Sequence, residues 1–235
     1  MLSCVEKTMK PTPTKTNRRL AMLLCAFSLG FGHAAQAAGA APRLPDPALD
    51  EPVKSRNATR SVVLAGGCFW GIEAVFQQVK GVQNAVSGYA GGSEQQASYP
   101  LVSSGATGHA EAVQITYDPA QVTLGTLLKV FFSVAHDPTT LDRQGPDHGP
   151  QYRSAIFYAD ATQEDIARRY IAQLDTAKAF ASPIVTKLGP LSAFYPAEAY
   201  HQDFVQKNPN NPYILAHDLP KLTQLQQVFP ALYKP

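Results

Sequence analysis

Five short stretches of the chain read as β-strands. Ser61 to Ala65 is an apolar run, Gln83 to Tyr89 alternates apolar with polar, and Ala112–Tyr117, Arg153–Tyr158 and Pro183–Leu188 complete the set. Helical spacing lies between them. From Phe69 to Val79 the apolar side chains Ile72, Val75, Phe76 and Val79 recur three and four residues apart. Leu124–Val134 reads as an amphipathic helix capped by Thr123, and Gln163–Lys178 as another capped by Thr162. After Tyr195 the pattern predicts one short helix, Ala197–Gln206, and then Pro- and Asn-rich coil to the end. Strands and helices alternating in this way predict one α/β or α+β domain over residues 61–235. The long loops 93–110 and 137–152 are expected to build a site, since structureless loops of that length are uncommon otherwise.

The first 60 residues have a different character. Lys15, Arg18 and Arg19 precede an apolar run from Leu20 to Phe31, and Ala35-Gln36-Ala37 follows. That order matches an export signal cut after Ala37, and the run is shorter than the roughly 20 residues a membrane-spanning helix needs. Residues 38–60, with Pro42, Pro45, Pro47 and Pro52, read as a flexible or extended linker. The expected protein is therefore exported, periplasmic and detached from the membrane.

Removing residues 1–37 changes the charge. Five of the 20 Lys and Arg and one of the 18 Asp and Glu lie there, which leaves 15 basic against 17 acidic residues and turns a net +2 into −2. No basic stripe remains for nucleic acid. Cys4 and Cys25 also fall in the leader, so Cys68 is the one cysteine expected in the mature chain. A lone thiol in an oxidising compartment is either inert and buried or kept because it reacts.

Its setting favours reactivity. Gly66-Gly67-Cys68-Phe69-Trp70-Gly71 joins a strand to a helix and puts Cys68 at the helix N-terminus. The unpaired amides and positive dipole end there favour a thiolate. The two glycines allow a tight turn and close approach of another molecule. Phe69 and Trp70 are expected as an exposed apolar wall beside the sulfur.

At these residues the chain resembles the A-type methionine sulfoxide reductases. Gly-Cys-Phe-Trp-Gly is similar to that family's signature. Gly88-Tyr89-Ala90-Gly91-Gly92, Gly108-His109-Ala110-Glu111, His136-Asp137-Pro138 and Gln151-Tyr152-Arg153-Ser154-Ala155 resemble further family blocks in order and spacing. The likeness spans roughly residues 61–215. It implies a two-layer sandwich, a mixed sheet flanked by helices, with ferredoxin-like βαβ elements and a long coiled C-terminal tail. It also implies reduction of the S epimer of methionine sulfoxide, free and in proteins, by a monomer without metal or organic cofactor.

Thiol reduction of a sulfoxide needs a thiolate to attack sulfur, an acid to protonate the departing oxygen, and an apolar seat for the methyl group. The resemblance gives these roles to Cys68, to Glu111 as a carboxylic acid kept protonated by burial, and to Phe69 and Trp70. Tyr99 and Tyr152 match positions that hold the oxygen, and Asp147 one that receives the substrate backbone or supports the cysteine. Gly67 and His109 are grouped with the substrate-binding residues. His109, His136 and His201 show no metal-ligand spacing.

Departures from the family lie elsewhere. None of residues 69–235 is a cysteine, Phe204 stands where a tyrosine is common, Gln96-Ala97-Ser98 replaces Asn-Pro-Thr, and Pro146 replaces a frequent Asn. Without a resolving cysteine, a thioredoxin-like or other external thiol is expected to reduce oxidised Cys68. The enzymatic alternative is a papain-like hydrolase using Cys68 with His201. Against it, Phe69 separates cysteine from tryptophan, and residues 38–67 contain no glutamine for an oxyanion hole. A non-catalytic module for methionine-rich surfaces would tolerate loss of the thiol.

Overall fold

The structure, a computed structural model, describes residues 44–52 and 59–235. The expected leader and much of the expected linker lie outside the described residues. Strand β1 (Arg60–Gly66) runs into helix α1 (Phe69–Gln77), and β2 (Val82–Ala90) leads through a one-turn α2 (Tyr99–Val102) to β3 (Ala110–Tyr117). Helix α3 (Leu124–Val130) follows, widening into a π-turn over 131–135. A two-stranded ribbon, β4 (Arg143–Gln144) and β5 (Asp147–His148), precedes β6 (Ser154–Tyr158). Then come α4 (Ala161–Thr176), β7 (Lys187–Pro190), β8 (Phe194–Pro196), α5 (Phe204–Lys207) and α6 (Leu219–Val228).

The six-stranded sheet has the order β7-β6-β1-β3-β2-β8. β1 and β2 each pair antiparallel with β3 between them, and β1 also pairs antiparallel with β6, so β1-α1-β2 and β3-α3-β6 are two split βαβ units. Among the described strands, only β6 and β7 are parallel neighbours. This is the expected mixed sheet with ferredoxin-like elements.

Strand alternation sorts the two faces. Val62 and Leu64 of β1, Val113, Ile115 and Tyr117 of β3, and Ala85 and Tyr89 of β2 join the helices in the main core. The opposite face is built of small residues, Ala65, Ala90, Ala110, Ala112 and Ala155, under Phe157 and Phe194. Glu111 shares the odd-numbered face of β3 that meets the helices. Leu64 lies opposite Val113, so the end of β3 carrying Glu111 adjoins the end of β1 from which α1 departs.

Several boundaries differ from expectation for identifiable reasons. Asp160, not Thr162, caps α4, its carboxylate accepting from the Gln163 amide at 2.9 Å. The expected strand 183–188 shifts to Lys187–Pro190, because the Val185 amide donates to the Pro138 carbonyl instead of to β6. Thr123 does cap α3, accepting from Thr126. The tail is not coil throughout: 197–206 divides into a 3-10 turn and α5, and α6 buries Leu225 against the core.

Residues 44–52 are no loose linker. Leu44 is buried, Tyr170 donates to the Pro45 carbonyl, and Lys129 pairs with Asp46. The Leu124 and Gly125 amides donate to Glu51 and Asp50, both at 2.8 Å, so with Thr123 these carboxylates satisfy the first turn of α3. Asp50→Ala is expected to cost about 1–2 kcal/mol, the usual cost of a lost helix cap. Urea denaturation checks this, and an unchanged midpoint would show the strap to be passive.

Candidate active site

Cys68 occupies the N-cap position of α1 with φ −52° and ψ 124°, and is buried without a disulfide. The turn before it depends on Gly67, whose φ of +100° is a region side chains rarely adopt. Both glycines face this chain itself rather than an open approach. A Cβ on Gly66 would meet the His136 ring, and one on Gly67 would meet Gln144 Cγ at 2.5 Å. Gln144 is fixed in turn by the backbone of Asp137.

Glu111 reaches the same helix end. Its Oε2 accepts the Phe69 amide, the residue after Cys68, at 3.2 Å. Oε1 is buried and has no hydrogen-bond partner among the described residues. Burial pushes this carboxyl up to about 8; the Phe69 amide pulls it down and neighbouring Asp147 pushes it further up. Desolvation wins. At neutral pH the group is an acid with one oxygen anchored and the other unused, the state a proton donor requires.

Asp147, in the ribbon beside this carboxyl, is also buried. Burial raises it above the ordinary carboxylate range, opposed by a hydrogen bond from the Tyr213 hydroxyl and by the charges of His217 and Lys221. Tyr213 was invisible to sequence reasoning, since only the tail's return brings it to Asp147 and edge-on to Trp70.

Phe69 and Trp70 are not exposed. Phe69 is fully buried, and Trp70 lies flat on Phe204 with centroids 3.7 Å apart and planes 7° apart. The Trp70 Nε1–H donates to His201 Nδ1 at 3.1 Å. Because indole only donates, the His201 proton sits on Nε2. Burial lowers His201 to about 4, against the opposing pull of Glu198. It is a neutral ring that orients tryptophan, an unsuitable state for the imidazolium partner of a hydrolase thiolate.

The tyrosines arrive by separate routes. Tyr152 is fully buried at the close of the 150–152 turn. Tyr99 opens α2, its ring 4.3 Å from that of His201 and its amide donating to Glu198 at 2.9 Å. His109 is employed within the fold: its Nε2 lies 2.8 Å from the Ser93 carbonyl, and a Cβ on Gly92 would strike its ring. Of the expected site residues, Cys68, Phe69, Trp70, Glu111, Asp147 and Tyr99 are linked through these contacts. Glu198, Tyr213 and His201's hold on Trp70 are additions from the structure. Among the described residues, no cluster of His, Cys, Asp and Glu is arranged to hold a metal ion.

Comparison with known proteins identifies the family. The protein-family model described as peptide methionine sulfoxide reductase matches residues 60–232. Peptide methionine sulfoxide reductase MsrA 2 of Mesorhizobium japonicum is 57% identical over 185 residues, 79% of this chain and 94% of the relative. Its namesake in Synechocystis is 54% identical, over 79% of this chain and 88% of the relative. Among solved structures, reduced Mxr1 from Saccharomyces cerevisiae aligns with TM-score 0.60 and 33% identity, over 69% of this chain and 91% of its own. Methionine sulfoxide reductase A of Corynebacterium diphtheriae gives 0.55 and 35%, over 72% and 85%. The chain belongs to the peptide methionine sulfoxide reductase family and is an oxidoreductase of its A type.

Proposed function

We propose that the chain reduces the S epimer of methionine sulfoxide, free and in proteins, with Cys68 as nucleophile and Glu111 as proton donor. The observation that carries this reading is the pairing at the start of α1. The cysteine stands at the helix end that favours thiolate, and the next amide holds a carboxyl that burial keeps protonated. The Cys68 thiolate attacks the sulfoxide sulfur, forming a sulfur–sulfur bond, as Glu111 gives its proton to the oxygen. The sulfur–oxygen and sulfur–sulfur bonds then break as the oxygen passes to Cys68 as a sulfenic acid, and methionine leaves. The Tyr99 and Tyr152 hydroxyls hold the oxygen, Phe69 and Trp70 seat the methyl group, and Asp147 receives the substrate's backbone side.

Residues 69–235 offer no second thiol. The sulfenic acid is therefore reduced by an external thiol of the thioredoxin-like kind: one thiol forms a mixed disulfide with loss of water, and a second releases Cys68. Export to the periplasm, supported by the charged, apolar and small-residue order of residues 7–37, would make repair of oxidised exported proteins the task.

The test omits reductant. Protein incubated with a racemic methionine sulfoxide peptide is expected to release one equivalent of methionine, from one epimer. Cys68 should gain about 16 Da, one oxygen atom on the sulfenic step of cysteine oxidation. Cys68→Ser should release none. Methionine formed by that variant, or unmodified Cys68 in the parent after turnover, would refute the assignment.

A further inference from the structure

The geometry points to Glu198 as a positioning residue that sets Tyr99 over the reacting sulfur. The assignment rests on the role proposed above for the Tyr99 hydroxyl. Tyr99 is the first residue of a helix only one turn long. Ser98, at its N-cap position, makes no side-chain cap to that helix. The Tyr99 amide is thus a donor the local sequence does not satisfy. Glu198, 99 residues further on, supplies the acceptor: Oε1 takes the Tyr99 amide at 2.9 Å, and Oε2 takes the Tyr89 hydroxyl at 2.8 Å.

Those two contacts tie the end of β2 to the start of α2, across the loop between them. The carboxylate has a firm mount. On one side of it, the Ala197 amide donates to the Ser87 carbonyl at 2.9 Å. On the other, Gln202 exchanges two hydrogen bonds with the backbone of Ser87, and the Asp203 amide donates to Glu73. The segment 197–203 is therefore held on β2 and α1 independently of the Glu198 side chain, which is left to join Tyr99 to Tyr89. Burial works against its charge, but the Tyr99 amide, its own amide and the Tyr89 hydroxyl together hold it below the usual carboxylate range. It stays ionised, and a charged acceptor makes the stronger hydrogen bond.

A residue acting this way should affect turnover through Tyr99, while the lost partner of the Tyr89 hydroxyl is read separately in the thermal midpoint. Single-turnover release of methionine from a methionine sulfoxide peptide is measured for the parent, Glu198→Ala, Glu198→Gln, Tyr99→Phe and the double variant Tyr99→Phe/Glu198→Ala. Iodoacetamide alkylation of Cys68 and the thermal midpoint are followed in parallel. Glu198→Ala is expected to slow turnover about tenfold, within the penalty that small misplacements bring, with alkylation unchanged. Glu198→Gln, whose amide oxygen still accepts from Tyr99, should recover most of that loss. In the Tyr99→Phe background Glu198→Ala should add less than about twofold, since two groups acting as one unit are not additive.

Full turnover in Glu198→Ala beside a slow Tyr99→Phe would overturn the Glu198 assignment and leave Tyr99's role standing. An undiminished tenfold loss in the Tyr99→Phe background would also overturn it. A Tyr99→Phe variant as fast as the parent would remove both. If the alanine variant does not fold, Glu198→Asp carries the same test, because it draws the oxygens back by one methylene and keeps the charge.

Discussion

Glu111→Gln should slow sulfoxide reduction by about 10²–10⁴, the usual range for losing a positioned general acid, while leaving KM within a few-fold. Glutamine keeps the acceptor for the Phe69 amide but has no proton of suitable acidity for the oxygen. The pH profile separates this from simple disturbance of the site. The parent's kcat/KM should fall as pH rises through about 8, where the buried carboxyl ionises. That limb should vanish from the residual activity of the variant. A parental rate, or a persisting limb near 8, would remove Glu111 from its role.

The same substitution should act on stability in the opposite direction. Between the ordinary 4.5 and about 8, the folded chain holds a proton at Glu111 that the unfolded chain has released. Folding therefore loses stability as pH rises across that window. Glutamine removes this slope, so at pH 7 the variant should be more stable by on the order of 3 kcal/mol. Urea denaturation at pH 5 and pH 7 reads the difference. A slower enzyme that is harder to unfold would show that the acid is kept for chemistry at the expense of the fold.

Gly67→Ala should damage both the fold and the site. Two costs add there: a backbone with φ of +100°, and a Cβ 2.6 Å from Gln144 Cβ. The obstruction includes the root of the Gln144 side chain, so a rotamer change cannot relieve it. Strain and overpacking each run to roughly 1–3 kcal/mol, and a total of about 3 kcal/mol is expected. Gly145→Ala is the matched comparison, with φ of +54° but nothing within 4 Å of the added carbon; strain alone should cost it about 1 kcal/mol. Equal thermal midpoints for the two variants would show that Gln144 yields freely. Because Cys68 is the next residue, Gly67→Ala should also misplace the sulfur and lose turnover beyond its loss of stability.

What could be read from sequence is what short range determines. Period-two and period-3.6 patterns placed β1, α1, β2, β3 and β6, and the glycine pair before Cys68 marked the turn into α1. Glu111 could be singled out because it stands in a block at the start of a strand, though its burial comes from the register of β3 on β1. Tyr213 and Glu198 could not. Their partners Asp147 and Tyr99 lie 66 and 99 residues away, and no periodicity encodes such a meeting.

The errors have equally local causes. Asp160 and Thr162 are both good caps, and only the position of the Gln163 amide selects the first. Ile184 and Val185 have strand chemistry, yet a loop carbonyl at Pro138 takes the amide that pairing would need. In the tail, Asn208, Pro209, Asn210 and Asn211 signal coil correctly, but Pro212 already opens a helical run. Pro220, however, sits in the first turn of α6, where a missing amide hydrogen costs nothing.

The stacking of Trp70 on Phe204 has a practical consequence. The sequence contains one tryptophan, and it stands two residues from the sulfur, in van der Waals contact with one ring and hydrogen-bonded to another. The ultraviolet emission of the unlabelled protein therefore originates chiefly beside the thiol proposed above as nucleophile. On the roles proposed above, a substrate methyl arriving at the indole, or an oxygen atom gained by the thiol, would alter that emission directly. The molecule carries its own optical gauge of turnover.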